Sequence, residues 1–211
     1  MGEKGGAAMT IQAMKRTLRQ RIIADRAALP HEERARLSGE ITAQLLRLPS
    51  YSKAHTVLGY VNFGAEFESE AWIRQALHDG KGLLLPKVNR VTHELDLYRV
   101  TDVDTQLAPG AFGIREPLPQ KCVAANLEEA DFILLPGVAF GRDGSRLGYG
   151  GGFYDKLLAR LNHKPTLVAA AYAIQLAEDI PQEATDQKID CLVTEKEIIQ
   201  CGARASCSHD N

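Results

Sequence analysis

Residues 131–158, DFILLPGVAFGRDGSRLGYGGGFYDKLL, hold the groups best suited to chemistry. An apolar run of strand length (132–135) leads into a glycine-rich loop containing Arg146. A helix then opens near Gly152 and carries Tyr154, Asp155, Leu157 and Leu158. Glycine tolerates positive φ and close approach, so such a loop can turn several backbone N–H groups toward an anion. The helix N-terminus adds partial positive charge and Arg146 a full one. Asp155, one turn into the helix, has the wrong sign for a phosphate but suits the Mg2+ that accompanies one. The same composition would also serve a mobile surface loop beside a charged helix face, although loops this rich in glycine are usually functional.

The loop matches neither common nucleotide motif. No Gly-Lys pair precedes a Ser or Thr within it, and Phe153 stands where a dinucleotide fingerprint needs its third glycine. Lys15 and Arg19 lie four apart on an expected helix, so both project from one face, as phosphate contacts or as a solvated basic surface. Glu66 follows the run TVLGYV (56–61), in the region beyond a strand end where open α/β sheets collect ligands. A loop carboxylate there can also be merely hydrated.

These groups need elements to hold them. Residues 10–29 read as an amphipathic helix, with Ile11, Met14, Leu18 and Ile22 at three- and four-residue steps and Pro30 beyond. A second helix is expected over 31–48, with Leu37, Ile41, Leu45 and Leu48 buried and Pro49-Ser50 ending it. Ser69 is expected to cap a helix over 70–79, closed by Gly80. Strands are expected at 56–61, 83–88, 95–100, 132–135 and 167–172, with a last short one at 191–193. Residues 101–117 read as a loop punctuated by Pro109 and Pro117, in which Arg115 and Glu116 could pair. Strands alternating with helices predict an α/β domain with a mainly parallel sheet between helical layers. One domain over 10–200 is expected, with a flexible leader at 1–9 and a flexible tail at 201–211.

Composition narrows the class. The chain has 211 residues, 45% of them hydrophobic, and a formal net charge of −2, which suits one globular domain and not a general nucleic-acid binder. No apolar run reaches membrane-spanning length, and the start MGEKGGAAM has no signal-peptide core, so a cytoplasmic protein without membrane contact is expected. Cys122, Cys191, Cys201 and Cys207 form no C-x-x-C pair and read as free thiols.

The stretch PGVAFGRDGSRLGYGGGFYDKLL resembles the signature of the 5-formyltetrahydrofolate cyclo-ligases (methenyltetrahydrofolate synthetases), P-G-[LV]-A-F-D-x-x-G-x-R-L-G-x-G-x-G-[YF]-Y-D-x-x-L. Gly141 departs from it, standing where many relatives have Asp. The Lys15–Arg19 spacing resembles the family's N-terminal ATP-contacting element, GIREP its G-I-x-E-P element, and residues 181–195 its closing motif, with Thr185 where many relatives have His. The resemblance implies a three-layer α/β/α fold similar to the sugar-phosphate isomerase and CoA-transferase group. It also implies ATP- and Mg2+-dependent closure of 5-formyltetrahydrofolate, a small-molecule substrate, by a monomer. Carried over residue by residue, ATP would meet Lys15, Arg19, Arg146, Leu147, Gly148, Tyr149, Gly150, Gly151, Gly152, Phe153 and Tyr154. The folate would meet Val61, Glu66 and residues 149–153, and the metal Asp155 and Asp190. Lys15, Arg146 and Asp155 are the implied catalytic groups. Two other readings stay open: a folate-binding module without turnover, and another ATP-dependent enzyme on a related fold.

Overall fold

A computed structural model describes residues 10–183 and 185–202. The expected leader 1–9, residues 203–211 of the expected tail and Cys207 lie outside the described residues. Helix α1 (Ile11–Ala27) starts at Thr10, whose Oγ1 accepts the Ala13 N–H at 3.2 Å. Helix α2 (His31–Leu46) ends two residues earlier than its periodicity suggests. Pro49 then occupies the first turn of a separate short helix, α3 (Pro49–Lys53), where its missing N–H is harmless. Strand β1 (Thr56–Leu58), helix α4 (Glu70–His78), strand β2 (Gly82–Asn89) and strand β3 (Glu94–Val100) follow. Gly80 stands just beyond α4 at φ 74°. Ser69 precedes α4 but makes no cap bond; its Oγ donates to the Tyr60 carbonyl at 2.6 Å and ties down the loop after β1 instead.

Residues 101–117 are not the plain loop expected. They contain the hairpin of β4 (Leu107–Pro109) and β5 (Arg115–Pro117), where both prolines sit at strand ends. Arg115 and Glu116 do not pair, because neighbours along a strand point to opposite faces. Arg115 donates to the Val103 carbonyl, and Glu116 accepts from Lys87 Nζ and the Val88 amide. The chain continues through β6 (Val123–Ala125), β7 (Phe132–Leu135), β8 (Ala139–Phe140), β9 (Arg146–Leu147), helix α5 (Phe153–Leu158), β10 (Thr166–Ala170), β11 (Cys191–Val193) and β12 (Ile198–Gln200).

The main sheet runs β12-β11-β10-β7-β1-β2-β3-β6. The five central strands are mutually parallel, and β3, β6 and β12 add antiparallel edges. Alternate residues feed two cores. Val57, Leu83, Leu85, Phe132, Leu134 and Val168 meet Leu37, Ile41, Leu45, Trp72 and Ile73 of α2 and α4. Leu58, Leu84, Ile133, Leu135 and Leu167 meet Leu157 and Leu158 of α5 on the other face. The three-layer α/β/α expectation with a mainly parallel sheet therefore holds. Among the described residues, no helix is long and apolar enough to cross a membrane.

Strand β12 lies past the last strand expected, and Cys201 after it is 5% exposed, its N–H donating to the Asp190 carbonyl. A strand of three residues on a sheet edge is too short to leave a periodic signal. The buried side of α1 also differs from its apolar stripe. Ile11 and Met14 are 46% and 44% exposed, while Lys15, Ile22 and Arg26 are buried. This helix docks on charged loops as well as on apolar surface.

Candidate functional site

The strand order creates a switch point. After β1 the chain crosses to β2 on one side, and β7, on the other side of β1, sends its chain away to β10. The loops leaving the carboxyl ends of β1 and β7 diverge there, leaving a crevice of the kind in which open α/β sheets bind ligands. One loop carries Glu66 and the other is the glycine-rich stretch.

In the first loop Glu66 folds back on its own backbone. Its Oε2 accepts the Phe63 N–H at 2.7 Å, while the Glu66 N–H donates to the Phe63 carbonyl at 3.2 Å. The residue is 4% exposed. Burial pushes its carboxyl above the ordinary carboxylate range, although the Phe63 amide, the Tyr149 hydroxyl and the Arg26 charge all favour the anion. Val61, beside it, packs against the core cluster containing Tyr60 and Phe67.

The second loop is partly a hairpin, which two-residue strands among glycines do not announce. Its strands β8 and β9 pair Ala139 with Leu147 and Phe140 with Arg146. At its tip, Gly144 adopts φ 87° and a Cβ there would stand 2.5 Å from the Ile189 carbonyl oxygen. Asp143 at that tip is engaged by Ser145 and Lys188, away from the crevice chemistry. The hairpin delivers Arg146, 6% exposed, whose Nη2 donates to Asp155 Oδ1 at 2.7 Å and Nη1 to the Pro136 carbonyl at 3.2 Å. Among the described residues its Nε is buried without a partner. The Leu147 side chain is buried with Ile22, Val138, Ala139 and Ile180, so only its backbone can reach a ligand. Gly150 and Gly152 hold φ 100° and 66°, the latter opening α5. Phe153 leans on the α5 side of the core. Tyr154 packs against both cores; burial, then the Glu66 charge, push its hydroxyl up while Arg146 pulls it down, so it lies between the two loops' charges.

Helix α1 closes the crevice with cations. Lys15 Nζ, 4% exposed with its residue, donates to Glu183 Oε2 at 2.9 Å and Asp186 Oδ2 at 2.6 Å. Burial works against the Lys15 charge, but the two carboxylates outweigh it and hold the ammonium above the ordinary lysine value. Arg19 Nε donates to the Gly148 carbonyl at 2.7 Å, and its guanidinium carbon lies 3.5 Å from where a Gly150 Cβ would stand. Arg26 Nη2 donates to the Tyr149 hydroxyl at 2.5 Å, and its guanidinium lies 5.8 Å from that ring's centroid. Phe63 meets Tyr149 edge-on at 6.4 Å.

The structure thus joins Lys15, Arg19, Glu66, Arg146, Tyr149, Tyr154 and Asp155 around one crevice. Asp190 stands elsewhere. Its Oδ2 accepts the Leu167 N–H at 2.8 Å, and the registers put it near the amino ends of β7 and β10. Asp186 is the carboxylate that approaches Asp155: it feels the Arg146 charge, and the next amide, Gln187 N–H, comes to 3.5 Å of Asp155 Oδ1. Among the described residues no cluster of three or more metal-ligating side chains forms. One or two carboxylates with ligand phosphates nonetheless match what Mg2+ takes, so Asp155 with Asp186 fits that ion. Arg26, Tyr60 and Phe63 escaped the sequence reading. Arg26 had a signal, falling seven residues after Arg19 on the same helical face, but an apolar pattern was sought there. The crevice is filled by its own ion pairs; a depression of about 580 Å³ beside α2, lined by Leu29, Leu37 and Tyr172, contains none of these residues.

Comparison with known proteins gives a consistent picture. A family model described as the 5-formyltetrahydrofolate cyclo-ligase family matches residues 11–195. A "5-formyltetrahydrofolate cyclo-ligase" of Mus musculus is 30% identical over 199 residues, spanning 87% of this chain and 95% of its own. One of Escherichia coli (strain K12) is 30% identical over 174 residues, spanning 82% and 96%. The solved structure of Aquifex aeolicus 5,10-methenyltetrahydrofolate synthetase superposes with a TM-score of 0.80 at 39% identity, covering 93% of this chain and 97% of that one.

Proposed function

The chain belongs to the 5-formyltetrahydrofolate cyclo-ligase family, and from that membership we propose that it closes 5-formyltetrahydrofolate to 5,10-methenyltetrahydrofolate, using ATP with Mg2+ and releasing ADP and phosphate. The reading is carried by one observation: two loops from the switch point put a buried carboxylate, Glu66, opposite a cation-rich glycine loop.

An N-formyl group is a poor electrophile and its oxygen a poor leaving group. Transfer of the γ-phosphoryl group to that oxygen makes it leave as phosphate; N10 attacks the formyl carbon, loses its proton, and the methenyl bridge forms. The protein's task is alignment and charge neutralisation. Lys15, Arg19 and Arg146, with the amides of Gly148, Tyr149, Gly150, Gly151 and Gly152, would meet the phosphates. Asp155 with Asp186, in place of the Asp190 expected, would hold Mg2+, which supplies charge to the transferring phosphoryl group. Because Lys15 is already gripped by Glu183 and Asp186, a phosphate must take over one of those bonds, or reach the ammonium's third N–H. Glu66 would accept the amino-pyrimidine N–H groups of the pterin, with Val61, Phe63 and Tyr149 as walls.

Glu66→Gln tests the substrate assignment. Folate KM should rise about tenfold or more while ATP KM stays put, because a charged hydrogen-bond acceptor is lost at one substrate only. Equal change in both constants would contradict the assignment.

A further inference from the structure

Arg26 is a buried guanidinium that the scheme above leaves unused. It is 3% exposed, and among the described residues its Nε and Nη1 are buried without a hydrogen-bond partner. A guanidinium carries five N–H donors, and desolvating them unpaired is costly. Among the described residues its one close partner is the Tyr149 hydroxyl, and its charge is felt by Glu66, Tyr60 and Tyr172. Arg26 shares the α1 face of Lys15 and Arg19, but eleven residues place it roughly 16 Å along the helix from Lys15. It therefore serves the Glu66 end of the crevice and not the phosphate end.

Tyr149 links the two groups. Its hydroxyl accepts from Arg26 and also interacts with the Glu66 carboxylate. One phenol thus stands between a donor with N–H groups to spare and a buried acceptor. Tyr149 is 43% exposed, so its side chain has solvent to move into when a ligand arrives. A 2-amino-4-oxo-pyrimidine ring presents the complementary edge: an amino group and a ring N–H that donate, then a carbonyl that accepts. We propose that Arg26 is a specificity-determining residue that takes the ring carbonyl beside the two N–H groups taken by Glu66, and that Tyr149 holds this place until the ring displaces its hydroxyl. The inference rests on the folate reading above.

Calorimetry on the full chain with two reduced folates, alike except for a 4-oxo or a 4-thioxo group, tests it. Both keep the N–H donors that Glu66 takes, and only the acceptor at C4 weakens. The wild type should bind the oxo ligand about tenfold more tightly or better, as for a charged hydrogen bond, and Arg26→Met should reduce that preference to within about twofold. Equal binding of both ligands by the wild type, or an unchanged preference in Arg26→Met, overturns the inference. Should Arg26→Met not fold, Tyr149→Phe decides: with the placeholder hydroxyl gone, the oxo ligand should bind several-fold more tightly, and unchanged or weaker binding overturns the proposal. Glu66→Gln separates the two levels. If it leaves oxo-ligand affinity unchanged, the folate site itself is misassigned; if affinity falls while the Arg26 result is negative, only Arg26 is misassigned.

Discussion

Glu66 is held almost out of water with its carboxyl above the ordinary 4.5. An acid whose folded pKa is raised contributes stability that is present below its unfolded pKa and lost as pH rises through the folded one. Ionised Glu66 therefore weakens the fold at neutral pH, and Glu66→Gln should melt at the same temperature or higher while binding folate less well. Its affinity for folate should fall on acidification, starting above 4.5, and that limb should vanish in Glu66→Gln; an unchanged pH profile in the variant would refute the role. Arg146 and Asp155 were legible from the glycine-rich stretch that holds them, and Glu66 from the family resemblance, since a loop carboxylate by itself can be merely hydrated. Arg26 was missed because, on a helix full of charges, its place seven residues after Arg19 was passed over in favour of an apolar stripe. Asp190 was misjudged for a related reason: its place before a strand is visible in sequence, but the end of the sheet on which that strand begins is not.

Helix α1 is an element attached largely through charge. Lys15 grips Glu183 and Asp186, and Arg19 and Arg26 grip the glycine loop. Asp186 is held below 3.8 although burial opposes its charge, because Lys15 and the Glu183 amide outweigh it; Lys15 and Gln12 hold Glu183 below 4.5. Depressed acids stabilise above their unfolded pKa and lose that contribution as pH falls through the folded one, while the raised lysine loses its own as pH climbs past 10.5. Hydrogen exchange should therefore find α1 protected between 4.5 and 10.5 and released first on stronger acidification. Lys15→Met, which takes the cation away from Asp186, should lower the midpoint of denaturant unfolding; an unchanged midpoint would mean the contact adds nothing to the fold. The hairpin gives a backbone comparison. Gly144→Ala combines φ 87° with a carbonyl oxygen 2.5 Å away, whereas Gly152→Ala meets nothing within 4 Å at φ 66°. The first should lower the melting temperature clearly more than the second, whose cost is roughly 1–2 kcal/mol of left-handed strain. Helix α2 was readable from periodicity and α4 from Ser69 and Gly80 at its ends, although Ser69 makes no cap bond. The hairpins β4–β5 and β8–β9 and the edge strand β12 were not, since strands of two or three residues are too short to show an alternating pattern.

At the scale of the molecule, the sheet order explains why groups as far apart in sequence as Lys15, Glu66, Arg146 and Asp155 meet. The reversal between β1 and β7 parts two loops over one crevice, and α1 returns across it. That order is not visible in a single sequence; only the alternation of strands and helices is. Ligand binding to this crevice should stabilise the whole fold, by about 2.7 kcal/mol at a hundredfold excess over Kd. ATP with Mg2+ should raise the melting temperature more than ATP alone, and Asp155→Asn, which keeps a partner for Arg146, should erase the difference. The most direct test of the central claim is to follow the long-wavelength absorbance of the methenyl product with 5-formyltetrahydrofolate, ATP and Mg2+, leaving out each in turn. We expect a rise that needs all three and falls about 10²–10³-fold in rate in Asp155→Asn, the scale of a lost transition-state charge contact. Folate binding by calorimetry with no absorbance rise under any combination would contradict the enzyme assignment and leave a binding protein in its place.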